Sequence, residues 1–186
     1  DKIDNLLSTD RTVQRAKGTG LLTYAISQTV ERENPDFLIY VGDREEGIAA
    51  AIVANYMDVR LIHLAGGDPV YLNSDDPMRF AISKLAHVHC TFAKDYANNL
   101  KKVGEEDFRI KYTGNPSLDN IKNTKKVNIE EVSKFLNVDI NNGNYIVLIK
   151  HPLSSEKNEA ENQMKISIKA LDEFASKHDF NVIGIY

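Results

Sequence analysis

Apolar residues recur at helical spacing through residues 11–32, where Val13, Ala16, Leu21, Leu22, Ala25, Ile26 and Val30 mark one stripe. Asn34-Pro35-Asp36 closes that helix, because the residue before a proline is pushed out of the α region. The pattern then changes. Phe37-Leu38-Ile39-Tyr40-Val41 is a short apolar run without alternation, bounded by turn residues, and it predicts a strand buried on both faces of a parallel sheet. Gly42-Asp43 leads into an alanine-rich helix over residues 45–56, and Val59 to Leu64 forms a second strand. A polar, glycine-containing loop from Gly66 to Asn73 precedes a helix from Asp76 to Ala86. Val88 to Phe92 is a third strand, Ala93 to Val103 a third crossover helix, and Arg109 to Tyr112 a fourth strand ending at Gly114-Asn115-Pro116.

This rhythm of strand, short loop, helix and strand predicts an α/β fold, a Rossmann-like doubly wound parallel sheet with right-handed crossovers. The polar stretch Asn120 to Lys126 and a weak helix over 129–136 read as a connection to a second unit. That unit opens after the turn Asn141–Asn144 with a strand, Tyr145 to Lys150. It continues through the loop His151–Glu156, a helix reaching Lys177, and a strand over Asn181–Ile185. The expected domains are therefore 1–122, an N-terminal Rossmann-like domain, and 123–186, the start of a second one.

Composition narrows the partners. A net charge of −4 offers no general attraction to nucleic acid or to an anionic membrane, so any phosphate recognition must be local. No apolar stretch approaches the roughly 18 to 20 residues of a membrane span. The single cysteine, Cys90, excludes an internal disulfide and fits a reducing compartment, which makes the cytoplasm the expected location. Its apolar neighbours point to a buried strand cysteine rather than a catalytic thiol. The opening residues Asp1-Lys2-Ile3-Asp4 have no features of a signal peptide and no initiator Met, so the chain is expected to begin inside a longer protein.

In an open α/β sheet, ligands bind outside the carboxyl ends of the strands. Polar residues just after the predicted strands are therefore the candidates. Asp43 and Arg44 follow the first strand directly; alternatively, Asp43 is a helix N-cap and Arg44 pairs with Glu46. His63, near the end of the second strand, and Gly66, Gly67 and Asp68 beyond it form a second cluster, followed by Asp75, Asp76 and Arg79 at the next helix. Glycines there let backbone approach a ligand closely. Capping accounts for one of Asp75 and Asp76, and the remaining carboxylates crowd one sheet edge, where mutual repulsion is a means of tuning a general base. His151 sits at the corresponding edge of the second unit, with a loop-and-cap role as the alternative. His87 and His89 have no third ligand at metal-binding spacing. Neither a Gly-x-Gly-x-x-Gly turn after a strand nor a P-loop lysine pattern is present, which argues against dinucleotide binding and nucleotide hydrolysis.

Several segments in order and spacing resemble the UDP-N-acetylglucosamine 2-epimerase family, particularly its hydrolysing, sialic-acid-pathway branch. They are Pro35-Asp36, Gly42-Asp43-Arg44, Ile62-His63-Leu64-Ala65-Gly66-Gly67-Asp68, the run Asp75 to His87, Gly114-Asn115-Pro116-Ser117-Leu118-Asp119, and His151-Pro152. The resemblance implies a GT-B arrangement of two Rossmann-like domains, with both ends of the family fold outside this chain. It also implies a UDP-sugar substrate, no cofactor or metal, and a homo-oligomer. The implied reaction is elimination of UDP across C1–C2 to a 2-acetamidoglucal, followed by addition of water in the hydrolysing branch. Implied catalytic residues are Asp43, Asp68, Asp75 and His151; implied substrate contacts are Arg44, His63, Gly67, Asp76, Arg79 and Asn115. One departure stands out: many members carry a Glu where this chain has Ala65, so Asp68 becomes the nearest carboxylate for proton transfer. A related sugar such as a bacillosamine derivative is compatible with that change. A GT-B glycosyltransferase and a non-catalytic nucleotide-sugar sensor are the competing functions.

Overall fold

The computed structural model describes residues 3, 12–70, 75–140 and 142–185 and divides into two compact units, Asp1–Asn120 and Ile121–Tyr186. The first unit begins with α1 (Thr12–Glu33), which ends as Asn34 turns left-handed (φ +45°) and its amide donates to the Val30 carbonyl at 2.9 Å. Pro35 then blocks any further helical turn. There follow β1 (Phe37–Val41), α2 (Glu45–Tyr56), β2 (Arg60–Leu64), α3 (Asp75–Leu85), β3 (Val88–Thr91) and α4 (Lys94–Lys102). A 3-10 turn (Asp107–Arg109) and β4 (Ile110–Tyr112) follow, and α5 (Ser117–Asn123) runs across the boundary between the units. Residues 71–73 of the predicted glycine-containing loop, and Asn141 of the predicted turn, lie outside the described residues.

All neighbouring strands are parallel, in the order β1-β2-β3-β4. With right-handed crossovers, a sequential order carries every connecting helix over the same face. The register pairs Leu38 with Leu61, Tyr40 with His63, His63 with His89, and His89 with Ile110, and these side chains form the covered face. Its core joins Leu61 to Ala51 and Ala54 of α2 and to Ile82 and Ala86, with Leu38, Tyr40, Ile48 and Leu85 packed around them. The alanines leave no side chain to hold α2 away from the sheet.

The expectation that β1 is buried on both faces is corrected. Phe37, Ile39 and Val41 point away from the helices and are 51%, 66% and 55% exposed. Apolar residues on both sides of a strand show what could be buried, whereas connection order decides which side this chain covers.

The segment Asn120 to Lys126, expected as a connection, is partly helical: α5 runs to Asn123. In the second unit, α6 (Ile129–Leu136) is capped by Asn128, whose side chain accepts from the Glu130 amide, and it ends at left-handed Asn137. β5 (Tyr145–Ile149), a 3-10 segment (Ser154–Glu159), α7 (Ala160–His178) and β6 (Asn181–Ile185) make one strand–helix–strand unit, with β5 and β6 parallel. Lys150 ties the end of β5 to α7 through Ser167 Oγ (2.8 Å) and the Gln163 carbonyl (3.0 Å). Among the described residues, no helix is long and apolar enough to cross a membrane.

The amino-terminal side of the first sheet has its own polar cluster. Glu105, whose side chain is 2% exposed, receives Lys84 at 2.7 Å, Arg109 at 2.7 Å and His89 Nε2 at 3.1 Å. Burial alone would raise its pKa, but these partners outweigh it and hold the carboxyl below the usual range. His87 accepts the Leu61 amide at Nδ1 (3.2 Å). Each of the two histidines is thus engaged with the protein itself. Because Glu105 neutralises Lys84 of α3 and Arg109 of the 3-10 turn and accepts from His89 of β3, Glu105→Ala should cost about 3 kcal/mol in urea denaturation. A cost below about 1 kcal/mol would mean that Lys84 and Arg109 recover their hydration freely.

Candidate active site

The carboxyl ends of β1 and β2 turn sharply. Gly42 adopts φ +106°, and its amide donates to the Leu64 carbonyl at 3.2 Å. Only glycine takes that conformation without steric cost. The next two residues diverge. Arg44 occupies the N-cap position of α2 without a side-chain cap; its amide donates to the Tyr40 hydroxyl at 3.1 Å, and its side chain is exposed. Asp43 does not cap the helix as the alternative reading had it, because its carboxylate is bound by Arg79 of α3.

Arg79 is the centre of the cluster. Its side chain is 7% exposed; Nη2 bonds the Asp43 carboxylate, Nη1 donates to the Ala65 carbonyl at 2.8 Å, and Nη1 lies 3.5 Å from Asp68. One planar guanidinium therefore draws together the turn after β1 and the loop after β2. A cation between Asp43 and Asp68 offsets the repulsion those carboxylates would otherwise exert on each other. Asp68 also accepts the Tyr96 hydroxyl, and that bond, with the carboxylate's charge, raises the Tyr96 pKa.

The loop after β2 is shaped by close packing. Gly67 has φ +78°, and a Cβ there would lie 2.2 Å from the Tyr96 carbonyl oxygen. Asn99 of α4 donates to the Gly67 carbonyl at 3.0 Å. Gly67 thus serves the approach of α4 to the loop, a packing reason that sequence alone did not show. Asp76 accepts the Val70 amide at 3.0 Å and so pins the same loop. Asp75, its neighbour, lines a cleft of about 270 Å³ with Asp43, Arg15, Ala16, Thr19, Glu45 and Met78. Arg15 grips Glu45 at 3.1 and 2.9 Å across that cleft and holds the Glu45 carboxyl below its usual pKa range.

His63 is wholly buried, with Nδ1 3.0 Å from Ser83 Oγ and Nε2 2.8 Å from the Gly42 carbonyl. Both ring nitrogens are committed to protein, so the expected substrate contact through His63 is not what the fold provides. Burial pushes its pKa down to about 4; the Gly42 bond opposes this, while nearby His89 and Arg79 reinforce it. Asn115, beyond β4, accepts the Ser117 amide at 2.9 Å and opens α5. His151 is exposed just after β5, in the second unit. The structure thus gathers Asp43, Asp68 and Arg79 directly, sets Asp75 beside Asp43, and turns His63 and Asp76 to bracing roles. Sequence reasoning missed Tyr96 and Ser83. Tyr96 was within reach, since it stands in the first turn after β3, on the same sheet edge; Ser83 was hidden by its place inside an amphipathic helix.

A parallel α/β sheet with carboxylates gathered around one arginine at its strand ends belongs to the class that holds a polar small molecule beyond the sheet edge. The profile of the family described as UDP-N-acetylglucosamine 2-epimerase matches residues 1–186, and the chain belongs to that family. It is 31% identical over 171 residues to the GDP/UDP-N,N'-diacetylbacillosamine 2-epimerase (hydrolyzing) of Campylobacter jejuni, covering 92% of this chain and 44% of the relative. It is 29% identical over 161 residues to the UDP-N-acetylglucosamine 2-epimerase of Neisseria meningitidis, covering 87% of this chain and 41% of that protein. The chain therefore spans less than half the length of these curated relatives. Among solved structures, the Neisseria meningitidis UDP-GlcNAc 2-epimerase bound to UDP-GlcNAc superposes with a TM-score of 0.76 at 22% identity, over 97% of this chain and 50% of that one. A putative UDP-N-acetylglucosamine 2-epimerase from Listeria monocytogenes gives 0.73 at 20% identity, over 98% and 47%. These neighbours are of the GT-B type, and the likeness establishes a shared fold.

The buried histidine has a measurable consequence. The folded pKa of His63 lies below its unfolded value of 6.5, so between the two the unfolded chain binds more protons. Its contribution to stability is complete above pH 6.5 and is lost as the pH falls towards about 4, by about 3 kcal/mol. His89, lowered mainly by burial, adds a loss of the same sign. Urea denaturation across this range should show the decline, and His63→Gln should flatten it; an equal slope in both proteins would contradict the assignment.

Proposed function

We propose that the protein epimerises C2 of a UDP-N-acetylhexosamine by eliminating UDP and adding water, releasing an N-acetylmannosamine-type sugar and UDP. The observation that carries this reading is the pair Asp43 and Asp68 held by one buried Arg79, with Asp75 beside Asp43 in the same cleft. Elimination needs a base at C2 and stabilisation of the leaving diphosphate at C1. In the first step a carboxylate takes the C2 proton while the bond from C1 to the diphosphate oxygen breaks, leaving a C1–C2 double bond in a 2-acetamidoglucal. In the second, water oxygen bonds to C1 and gives up a proton to a carboxylate, while a carboxylic acid delivers a proton to C2 from the opposite face.

Asp68 is the proposed base. Its side chain is 34% exposed, against 18% for Asp43, and Ala65 offers no carboxylate in the loop. Asp43 and Asp75 supply the acid and the charge that stabilises an oxocarbenium-like C1. Arg44, exposed at the amino end of α2, is placed in this scheme against the diphosphate, where a guanidinium and helix amides favour negative charge. Support for a hydrolysing reaction on a diacetamido sugar comes from the hydrolyzing N,N'-diacetylbacillosamine 2-epimerases of Campylobacter jejuni and Legionella pneumophila, each 31% identical to this chain.

Incubation in deuterated water with UDP-N-acetylglucosamine, and separately with UDP-N,N'-diacetylbacillosamine, tests the reading. Deuterium at C2 of the released sugar, together with free UDP, is the expected outcome for at least one of them. Sugar transfer without exchange at C2 would mark a glycosyltransferase instead. Asp43→Asn should reduce turnover by about 10³-fold while circular dichroism remains that of the folded protein. Undiminished activity removes Asp43 from the mechanism.

A further inference from the structure

Ser83 and His63 are both completely enclosed, and they meet at 3.0 Å between Oγ and Nδ1. On its other side the ring meets the Gly42 carbonyl through Nε2 at 2.8 Å. A carbonyl can only accept, so Nε2 carries the proton. Nδ1 then presents a lone pair and accepts from the Ser83 hydroxyl. The opposite tautomer would set a lone pair against the carbonyl oxygen. Gly66 leaves the room this pair occupies: a Cβ on it would stand 3.0 Å from Ser83 Oγ and 3.1 Å from His63 Nδ1.

The carbonyl that His63 holds belongs to the peptide linking Gly42 to Asp43. The Gly42 amide is fixed separately by the Leu64 carbonyl at 3.2 Å. Ser83 and Arg79 lie one turn apart on the same face of α3. This helix therefore governs Asp43 twice, by gripping its carboxylate through Arg79 and by orienting its backbone through Ser83 and His63.

We infer that His63, held in its Nε2–H tautomer by Ser83, is a positioning residue that aims Asp43 through the Gly42–Asp43 peptide and touches no ligand itself. The inference rests on the C2-epimerase reading for its effect on turnover. Burial keeps the ring neutral through the physiological range, which a fixed tautomer requires.

Kinetics and NMR of the active protein test it together. Ser83→Ala and His63→Leu should lower kcat about 10- to 100-fold while KM stays within about twofold, the cost of misaligning a reacting group without losing substrate contacts. His63→Gln, whose amide can still donate to the Gly42 carbonyl, should recover most of the loss. A raised KM with kcat retained would mean that His63 contacts the substrate, and unchanged kinetics in both variants would leave it no positioning role; either overturns the inference. Should His63→Leu fail to fold, ¹⁵N spectra of the wild-type ring decide, with the Nε2–H pattern expected and the Nδ1–H pattern refuting. If the wild-type protein turns over neither UDP-sugar, the functional reading fails by itself. The positioning inference then stands or falls on whether Ser83→Ala shifts the Asp43 carboxyl ¹³C resonance, with no shift refuting it.

Discussion

A guanidinium buried at the edge of a sheet must find anionic or carbonyl partners, since an uncompensated charge there would cost several kcal/mol. Arg79 meets that demand with the Asp43 carboxylate, the Ala65 carbonyl and the nearby Asp68. Those partners come from the turn after β1 and the loop after β2, while the arginine comes from α3. Satisfying one side chain therefore brings three separate segments to a common point. The carboxylates that the proposed chemistry needs are the same ones that make the arginine affordable.

Around that cation the backbone takes conformations that open chain would avoid. Gly42 and Gly67 are left-handed, and so is Ala65, which has no glycine's freedom. Ala65 is held there by the hydrogen bond its amide donates to the Cys90 carbonyl at 3.1 Å and by Arg79, which donates to its own carbonyl. Local strain of this kind persists only where the surroundings over-determine it. The amino-terminal side of the sheet shows the contrast. There Glu105 is closed in by Lys84, His89 and Arg109, and the cluster ties elements together. Both ends of the sheet thus bury charge, and at the carboxyl end Asp43 and Asp68 stay partly open to solvent around the buried arginine.

Membership of the 2-epimerase family gives these positions a chemical context. The curated relatives are more than twice as long as the matched segment. Within this chain, the loop after β2 carries its carboxylate on Asp68, where Tyr96 and Arg79 both reach it. The loop thus presents a carboxylate at the sheet edge although Ala65 offers none.

Periodicity in the sequence determined the order and type of the elements: the apolar run Phe37–Val41, the alanine-rich α2, and the breaks at Asn34-Pro35 and Gly42 follow from local backbone preferences. The rule that ligands bind beyond strand carboxyl ends likewise singled out Asp43, Asp68 and Asp75 without any knowledge of contacts. What local preference could not specify was pairing across the fold. Whether the outer side of β1 is covered depends on the order of strands, and Phe37, Ile39 and Val41 remain exposed because every crossover passes on the other face. His63 looked like a ligand-facing residue because its position on the strand is right, but register turns its ring inward to Ser83 and the Gly42 carbonyl. Arg79 could be assigned to the neighbourhood from sequence, yet its role as the shared partner of Asp43 and Asp68 arises only when α3 packs against the sheet. Spacing along a chain sets which residues share an edge; hydrogen-bond geometry, which acts over about 3 Å, is decided by the packing that brings distant segments together.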